Sequence, residues 1–183
     1  MRISKENTAA LFVDMQERLI PAMDGGDEVI RRSVILLEGL KAMAVPMVFL
    51  RQYPKGLGDT AEALREAMGD HAPFDKLAYS AMGDEAIRTE FARLKEQGIQ
   101  NILVCGVESH VCVLQSCIDL VAEGFQPLMV TDCVSSRNPY DKKIALRRAM
   151  QEGVLLTTVE SALFELCVVA GTDEFKAISK LVK

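Results

Sequence analysis

The chain of 183 residues predicts an α/β protein built on a parallel sheet with helices on both faces. Three observations carry this. Short apolar runs of strand length alternate with longer segments whose apolar residues recur at helical spacing. The runs are nearly continuous rather than alternating, as expected of strands buried on both faces. Glycines stand where the helical segments stop, at Gly98, Gly124 and Gly153, the usual place for a residue that adopts positive φ without strain.

Taken in order, residues 8–13 form the first strand. Residues 27–44 form a helix with Val29, Ile30, Val34, Leu37 and Leu40 along one face. Residues 46–50 are the second strand, and 59–68 a short helix with Asp59 or Thr60 as its cap. Residues 71–81 are irregular, with one short strand near 77–79. A helix over 84–97 ends at Gly98. The strand 101–105 breaks at Gly106, and a helix over 113–123 follows with Ser109 as N-cap. Residues 127–131 are a strand, 141–152 a helix, 154–159 a strand, 160–169 a helix, and 173–182 a small closing helix. No repeat, low-complexity tract or linker intervenes, so one domain over 1–183 is expected. Strands joined through helices imply right-handed crossovers.

Composition narrows the function. The chain is 49% hydrophobic and 26% charged, which fits a globular protein. A net charge of -5 argues against nucleic acid and anionic membranes as partners. The five cysteines include no CxxC pair and form neither a disulfide framework nor a zinc knuckle. The first residues lack an apolar signal core, and no apolar run is long enough to span a bilayer. A reducing, cytoplasmic setting is the expectation.

In parallel sheets ligands bind beyond the carboxyl ends of the strands. That rule selects Asp14, Gln52 and Tyr53, the segment from Gly106 to Cys112, and the segment from Asp132 to Ser136. No GxGxxG or GxxxxGK[ST] follows a strand, so a phosphate cradle is not expected. Asp14 closes an apolar strand, where it is either a structural hydrogen-bond acceptor or a general base. Cys112 falls in the first turn of a helix, where unpaired N–H groups favour a thiolate and could hold an oxyanion. It aligns with Ser116 and Asp119 rather than with the apolar stripe of Val113, Leu114, Cys117, Ile118, Leu120 and Val121. The other reading is a small core residue. Lys76, in an irregular stretch flanked by apolar residues, is a solvated loop charge or a partly enclosed one. His71 and His110 are isolated and make a poor metal site.

Three segments resemble the signatures of the isochorismatase-like cysteine hydrolase family, in the family's order and at similar spacing. They are Leu11-Phe12-Val13-Asp14-Met15-Gln16, Phe74-Asp75-Lys76-Leu77-Ala78-Tyr79-Ser80 and Gly106-Val107-Glu108-Ser109-His110-Val111-Cys112. Thr131-Asp132-Cys133-Val134-Ser135-Ser136-Arg137 resembles a further family segment. The resemblance implies a Rossmann-like three-layer αβα sandwich with a six-stranded, mostly parallel sheet. It implies an Asp14–Lys76–Cys112 triad, a cis peptide at Val107–Glu108, and an oxyanion hole from the N–H groups of Glu108 and Cys112. It also implies a homo-oligomer. Nicotinamidases in this family carry an Asp-x-His metal motif after the second strand. Here that place reads Arg51-Gln52-Tyr53, so no metal is expected.

The expected activity is hydrolysis of a small carboxamide or related C–N bond through a thioester, with no organic cofactor. Gln16, Tyr53, Tyr79, His110 and Ser136 are the candidate lining of the substrate pocket. Two alternatives stand beside this. One is a catalytically silent member that binds a small molecule or a protein. The other is a thiol redox protein in which Cys105, Cys117 or Cys133 resolves an oxidised Cys112.

Overall fold

The computed structural model describes residues 2–183. Its six strands are β1 (Thr8–Val13), β2 (Met47–Gln52), β3 (Phe74–Lys76), β4 (Asn101–Val107), β5 (Gln126–Ser135) and β6 (Leu155–Thr157). They form one sheet in the order β3-β2-β1-β4-β5-β6, and every neighbouring pair is parallel. The sheet is therefore wholly parallel.

The helices are α1 (Gly26–Ala42), α2 (Pro54–Leu57), α3 (Glu62–Met68), α4 (Glu85–Glu96), α5 (Leu114–Ala122), α6 (Pro139–Gln151), α7 (Val159–Cys167) and α8 (Asp173–Leu181). They cover both faces, which makes the three-layer sandwich. β1 shows why its run is continuously apolar. Ala10 and Phe12 join a core with Leu36, Leu37 and Leu40 of α1 and Leu163 of α7. Ala9, Leu11 and Val13 join the opposite core with Phe91 of α4, Leu120 of α5 and Ala149 of α6. A central strand thus serves two cores, and each large apolar side chain removed from water contributes about 1.5–3 kcal/mol.

Several boundaries differ from expectation. The third strand is β3 at Phe74–Lys76, not 77–79, because its partner β2 runs on to Gln52 and pairs Leu50 with Phe74 and Gln52 with Lys76. Leu77 and Tyr79 are exposed instead. Asp59 does not cap the helix after β2. Its Oδ1 accepts from the Thr60 N–H and from Arg51, and α3 starts later, at Glu62. The one-turn helix α2 was not expected. Ser109 is not the N-cap of the helix after β4. A π-helical turn, Ser109–Val113, intervenes before α5, its cap position is Glu108, and the buried Ser109 hydroxyl finds no partner. β5 is longer than its apolar core suggests and carries a register shift against β4. α6 begins early because Pro139 fills its first turn and the Asn138 side chain accepts from the Tyr140 N–H.

Candidate active site

The winding of the sheet reverses between β1 and β4, so their carboxyl ends meet at its switch point, where parallel sheets bind ligands. Gly106 makes this junction close. It pairs with Val13, sits at φ 123°, and a Cβ there would run into the Val13 main chain. The Val107–Glu108 peptide that follows is cis, as the family resemblance implies.

Asp14 comes directly off β1, at φ 52°, and is wholly buried. Lys76 is the last residue of β3 and its side chain is also fully enclosed. The two meet at 2.8 Å between Nζ and Oδ2. Nζ also donates to Gln52 Oε1 at 2.7 Å, to the Tyr79 carbonyl at 3.0 Å and to the Ala78 carbonyl at 3.2 Å. A buried ammonium and carboxylate persist only when their remaining hydrogen-bonding groups are met in this way. Lys76 is therefore no solvated loop charge. Asp14 Oδ1 accepts no hydrogen bond of ordinary geometry.

Cys112 stands in the π-helical turn, 6% exposed at the edge of the core that α4, α5 and α6 build. Its thiol lies against the Asp14 carboxylate. The thiol is not lowered as a helix terminus alone would lower it. Burial and then the charge of Asp14 push the thiol up to about 12, against the opposing pull of Lys76. Burial likewise raises Asp14, with Lys76 working against it. The raised pKa favours the protonated sulfur, and Asp14 is the carboxylate beside it.

The turn is fixed on both sides. Glu108 Oε2 accepts from the main-chain N–H and from Nε of Arg137, both at 3.1 Å. Burial alone would raise the Glu108 carboxyl, but the two Arg137 N–H groups and the guanidinium charge hold it below its ordinary value. The N–H groups of Val111 and Val113 both turn to the Glu108 carbonyl, at 3.0 and 3.2 Å. Ser116 of α5 accepts from the Ala81 N–H at 2.8 Å and ties the helix to the loop that follows Lys76.

The five expected pocket residues have different fates. His110 Nδ1 and Ser136 Oγ meet at 2.9 Å, with Asp141 4.0 Å from the other ring nitrogen. Tyr53 and Tyr79 are exposed, on the segments that flank Lys76. Gln16 is buried, and its amide holds main chain. Nε2 donates to the carbonyls of Gln52 and Gly58, and Oε1 accepts from the Gln52 N–H. Two participants escaped the sequence reading. Gln52 was visible only as a strand-end residue, since its contact with Lys76 depends on the register of β3. Arg137 was visible only inside a resembling segment.

Arg51 and Gln52 occupy the place of the metal motif, and Arg51 is held by Asp59 and Asp75 at 2.7 Å each. Among the described residues no group of three or more His, Cys, Asp or Glu side chains could hold an ion. The residues present do not fit a metal.

The isochorismatase domain model matches residues 8–161. The chain belongs to the isochorismatase family. It is 37% identical over 182 residues to the secreted isochorismatase effector Isc1 of Phytophthora sojae, covering 97% of this chain and 85% of that protein. It is 36% identical to isochorismatase domain-containing protein 1 of Salmo salar, covering 96% of this chain and 61% of that longer relative. Among solved structures, the MAR1 ribonuclease of Caenorhabditis elegans superposes with a TM-score of 0.91 at 33% identity, over 100% of this chain and 92% of that one. The ycaC gene product of Escherichia coli, described as an octameric hydrolase of unknown specificity, superposes at 0.90 with 23% identity, over 99% and 89%. At that identity the likeness speaks for the fold. The family's hydrolase fold is thus the frame in which the buried Asp14, Lys76 and Cys112 are to be read.

Proposed function

We propose that the chain is a cysteine hydrolase that cleaves a small carboxamide or related C–N bond through a thioester. The observation that carries this reading is one arrangement. A buried thiol, its pKa raised, lies against a carboxylate whose free oxygen has no other partner, and a buried ammonium fixes that carboxylate. In the reaction Asp14 takes the Cys112 proton as the sulfur attacks the carbonyl carbon. The N–H groups of Glu108 and Cys112 hold the oxyanion. The proton passes from Asp14 to the leaving nitrogen, the C–N bond breaks, and ammonia or an amine departs. Water then gives a proton to Asp14 and attacks the thioester. The C–S bond breaks, the proton returns to sulfur, and the carboxylic acid leaves. Lys76 balances the charge on Asp14 throughout. No step uses an organic cofactor.

His110, Ser136, Tyr53 and Tyr79 line the approach in this reading, with Gln16 supporting the floor. The redox alternative loses ground on geometry. Cys105 and Cys133 belong to the core on the other side of the sheet from Cys112. Cys117 is on the same side but five positions along, which does not face Cys112 on a helix. All five cysteines are free, which fits a reducing, cytoplasmic compartment, although the Phytophthora relative is named as secreted. Val168 and Val169, exposed by 60% and 59%, are outside the core and suit a contact between copies. Light scattering would then give a multiple of 20.1 kDa.

The test is ammonia release from a panel of small carboxamides and ureides, with Cys112→Ala as the blank and acyl-enzyme mass measured after rapid quenching. Turnover with an adduct on Cys112 is expected. Release that survives Cys112→Ala overturns the reading, as does RNA cleavage without amide turnover, the chemistry named for the nematode neighbour.

A further inference from the structure

We propose that Gln52 is a positioning residue: it holds the Lys76 ammonium against Asp14 while adding no charge to the site. This rests on the hydrolase reading for its consequence in turnover, but its geometry stands apart. Gln52 ends β2, the strand between β1 and β3, and pairs in register with Lys76. Its amide orientation is fixed from both ends. Nε2 donates to the Leu77 carbonyl at 2.8 Å, which turns Oε1 to Nζ of Lys76 at 2.7 Å. An ammonium has no acceptor, so only the oxygen can face it.

The Gln52 main chain is held as firmly. Its N–H donates to Gln16 Oε1 at 2.8 Å, and its carbonyl accepts from Gln16 Nε2 at 3.0 Å. The buried Gln16 therefore fixes Gln52, Gln52 fixes Lys76, and Lys76 fixes Asp14. Around Nζ there are four oxygens, from Asp14, Gln52, Ala78 and Tyr79. Only Asp14 brings a negative charge. A carboxylate at position 52 would compete with Asp14 for the ammonium and repel the Leu77 carbonyl. The neutral amide leaves the whole of the Lys76 charge to the Asp14–Cys112 pair.

The other charges near this network do not take its place. Arg51 points to Asp59 and Asp75, and Glu108 is paired with Arg137. His110 is paired with Ser136. Among the described residues no side chain other than Asp14 and Gln52 hydrogen-bonds to Nζ.

The experiment is the rate of Cys112 alkylation by iodoacetamide against pH, read as modified peptide, which needs no substrate. The rising limb follows ionisation of Asp14, the acceptor for the thiol proton. Gln52→Glu adds a charge beside Lys76 and should move that limb to higher pH by about one unit. Gln52→Met keeps the stem but removes the acceptor, and should lower the plateau rate about tenfold while leaving the limb in place. A Gln52→Glu profile that coincides with wild type overturns the proposal. If Gln52→Glu does not fold, a Gln52→Met protein of wild-type rate overturns it alone. Wild-type alkylation at Cys112 without any amide turnover would count against the hydrolase reading and leave the positioning result to be read. Alkylation of other cysteines with Cys112 untouched would refute both.

Discussion

Asp14 and Lys76 pair inside the fold, with nothing of either side chain exposed, and in the proposed reaction the proton to be moved is that of Cys112. Removing one member should therefore disable the others. Asp14→Asn keeps the shape but cannot accept a proton, and kcat should fall at least about a hundredfold. Lys76→Met leaves the carboxylate buried without its partner. It should cost about 3–5 kcal/mol in stability as well as activity, so melting must be measured beside kinetics. The double variant should be little slower than the worse single one. Multiplying losses would mean that the two residues do not act on one thiol. The pH profile follows from the same burial. Asp14 must be ionised to act as base, and burial raises its pKa. Activity should rise with pH along a limb displaced above the ordinary carboxylate range, and a limb at the ordinary position would count against Asp14 as the base. The sequence put these three residues forward through their motifs, but burial and the Asp14 charge push the thiol up, where the helix terminus alone would lower it. A helix terminus is a local feature. Burial in the packed fold and the Asp14 carboxylate are not, and both raise the thiol.

At the scale of elements, the turn after β4 carries the site, and Gly106 is the position it tolerates least. A methyl group there meets the Val13 main chain at positive φ. Gly106→Ala should cost about 2–4 kcal/mol and, by pushing β4 from β1, remove activity in whatever protein still folds. Wild-type melting and turnover would show that the strands can separate freely. Glu108 fastens the same turn to the end of β5 through Arg137. Its carboxyl lies below its unfolded value, so its stabilisation is present above the unfolded pKa and is lost as pH falls through the folded one. Arg137→Gln keeps the main-chain bond and removes the guanidinium. It should lower stability at neutral pH, with the difference from wild type vanishing in acid. A difference that persists in acid would separate Arg137 from Glu108. Which elements exist was largely legible, because a strand buried on both faces and an amphipathic helix have distinct periods. β3 was misplaced because three residues at an edge have almost no period, and only pairing with Leu50 to Gln52 defines them. The π turn was missed for a similar reason. Its residues read as the first turn of the helix that follows, and the cap sits one residue earlier than Ser109.

For the whole molecule, the sheet order brings together residues that lie 62 apart in sequence, Asp14 and Lys76, with the Cys112 turn beside them. Strand–helix alternation implied such a crevice but not its chemistry, since chemistry depends on which strand ends are neighbours. The same order decides what the crevice cannot hold. Metal ions of hydrolases need several neutral imidazoles or carboxylates converging on one point. Here the two histidines serve different elements. His71 packs its ring 5.5 Å from that of Phe49, and His110 meets Ser136. The carboxylate of the crevice is bound to Lys76, and a cation, Arg51, stands at the end of β2 between two aspartates. A divalent ion entering this crevice would face Lys76 and displace it from Asp14, which the buried pair resists. Dialysis against EDTA should therefore leave both turnover and melting temperature unchanged, and added zinc should not raise the rate. Activity lost to the chelator and restored by zinc, manganese or iron would show that ligands gather here in a way the side chains of a single chain do not provide, as when a second copy completes the site.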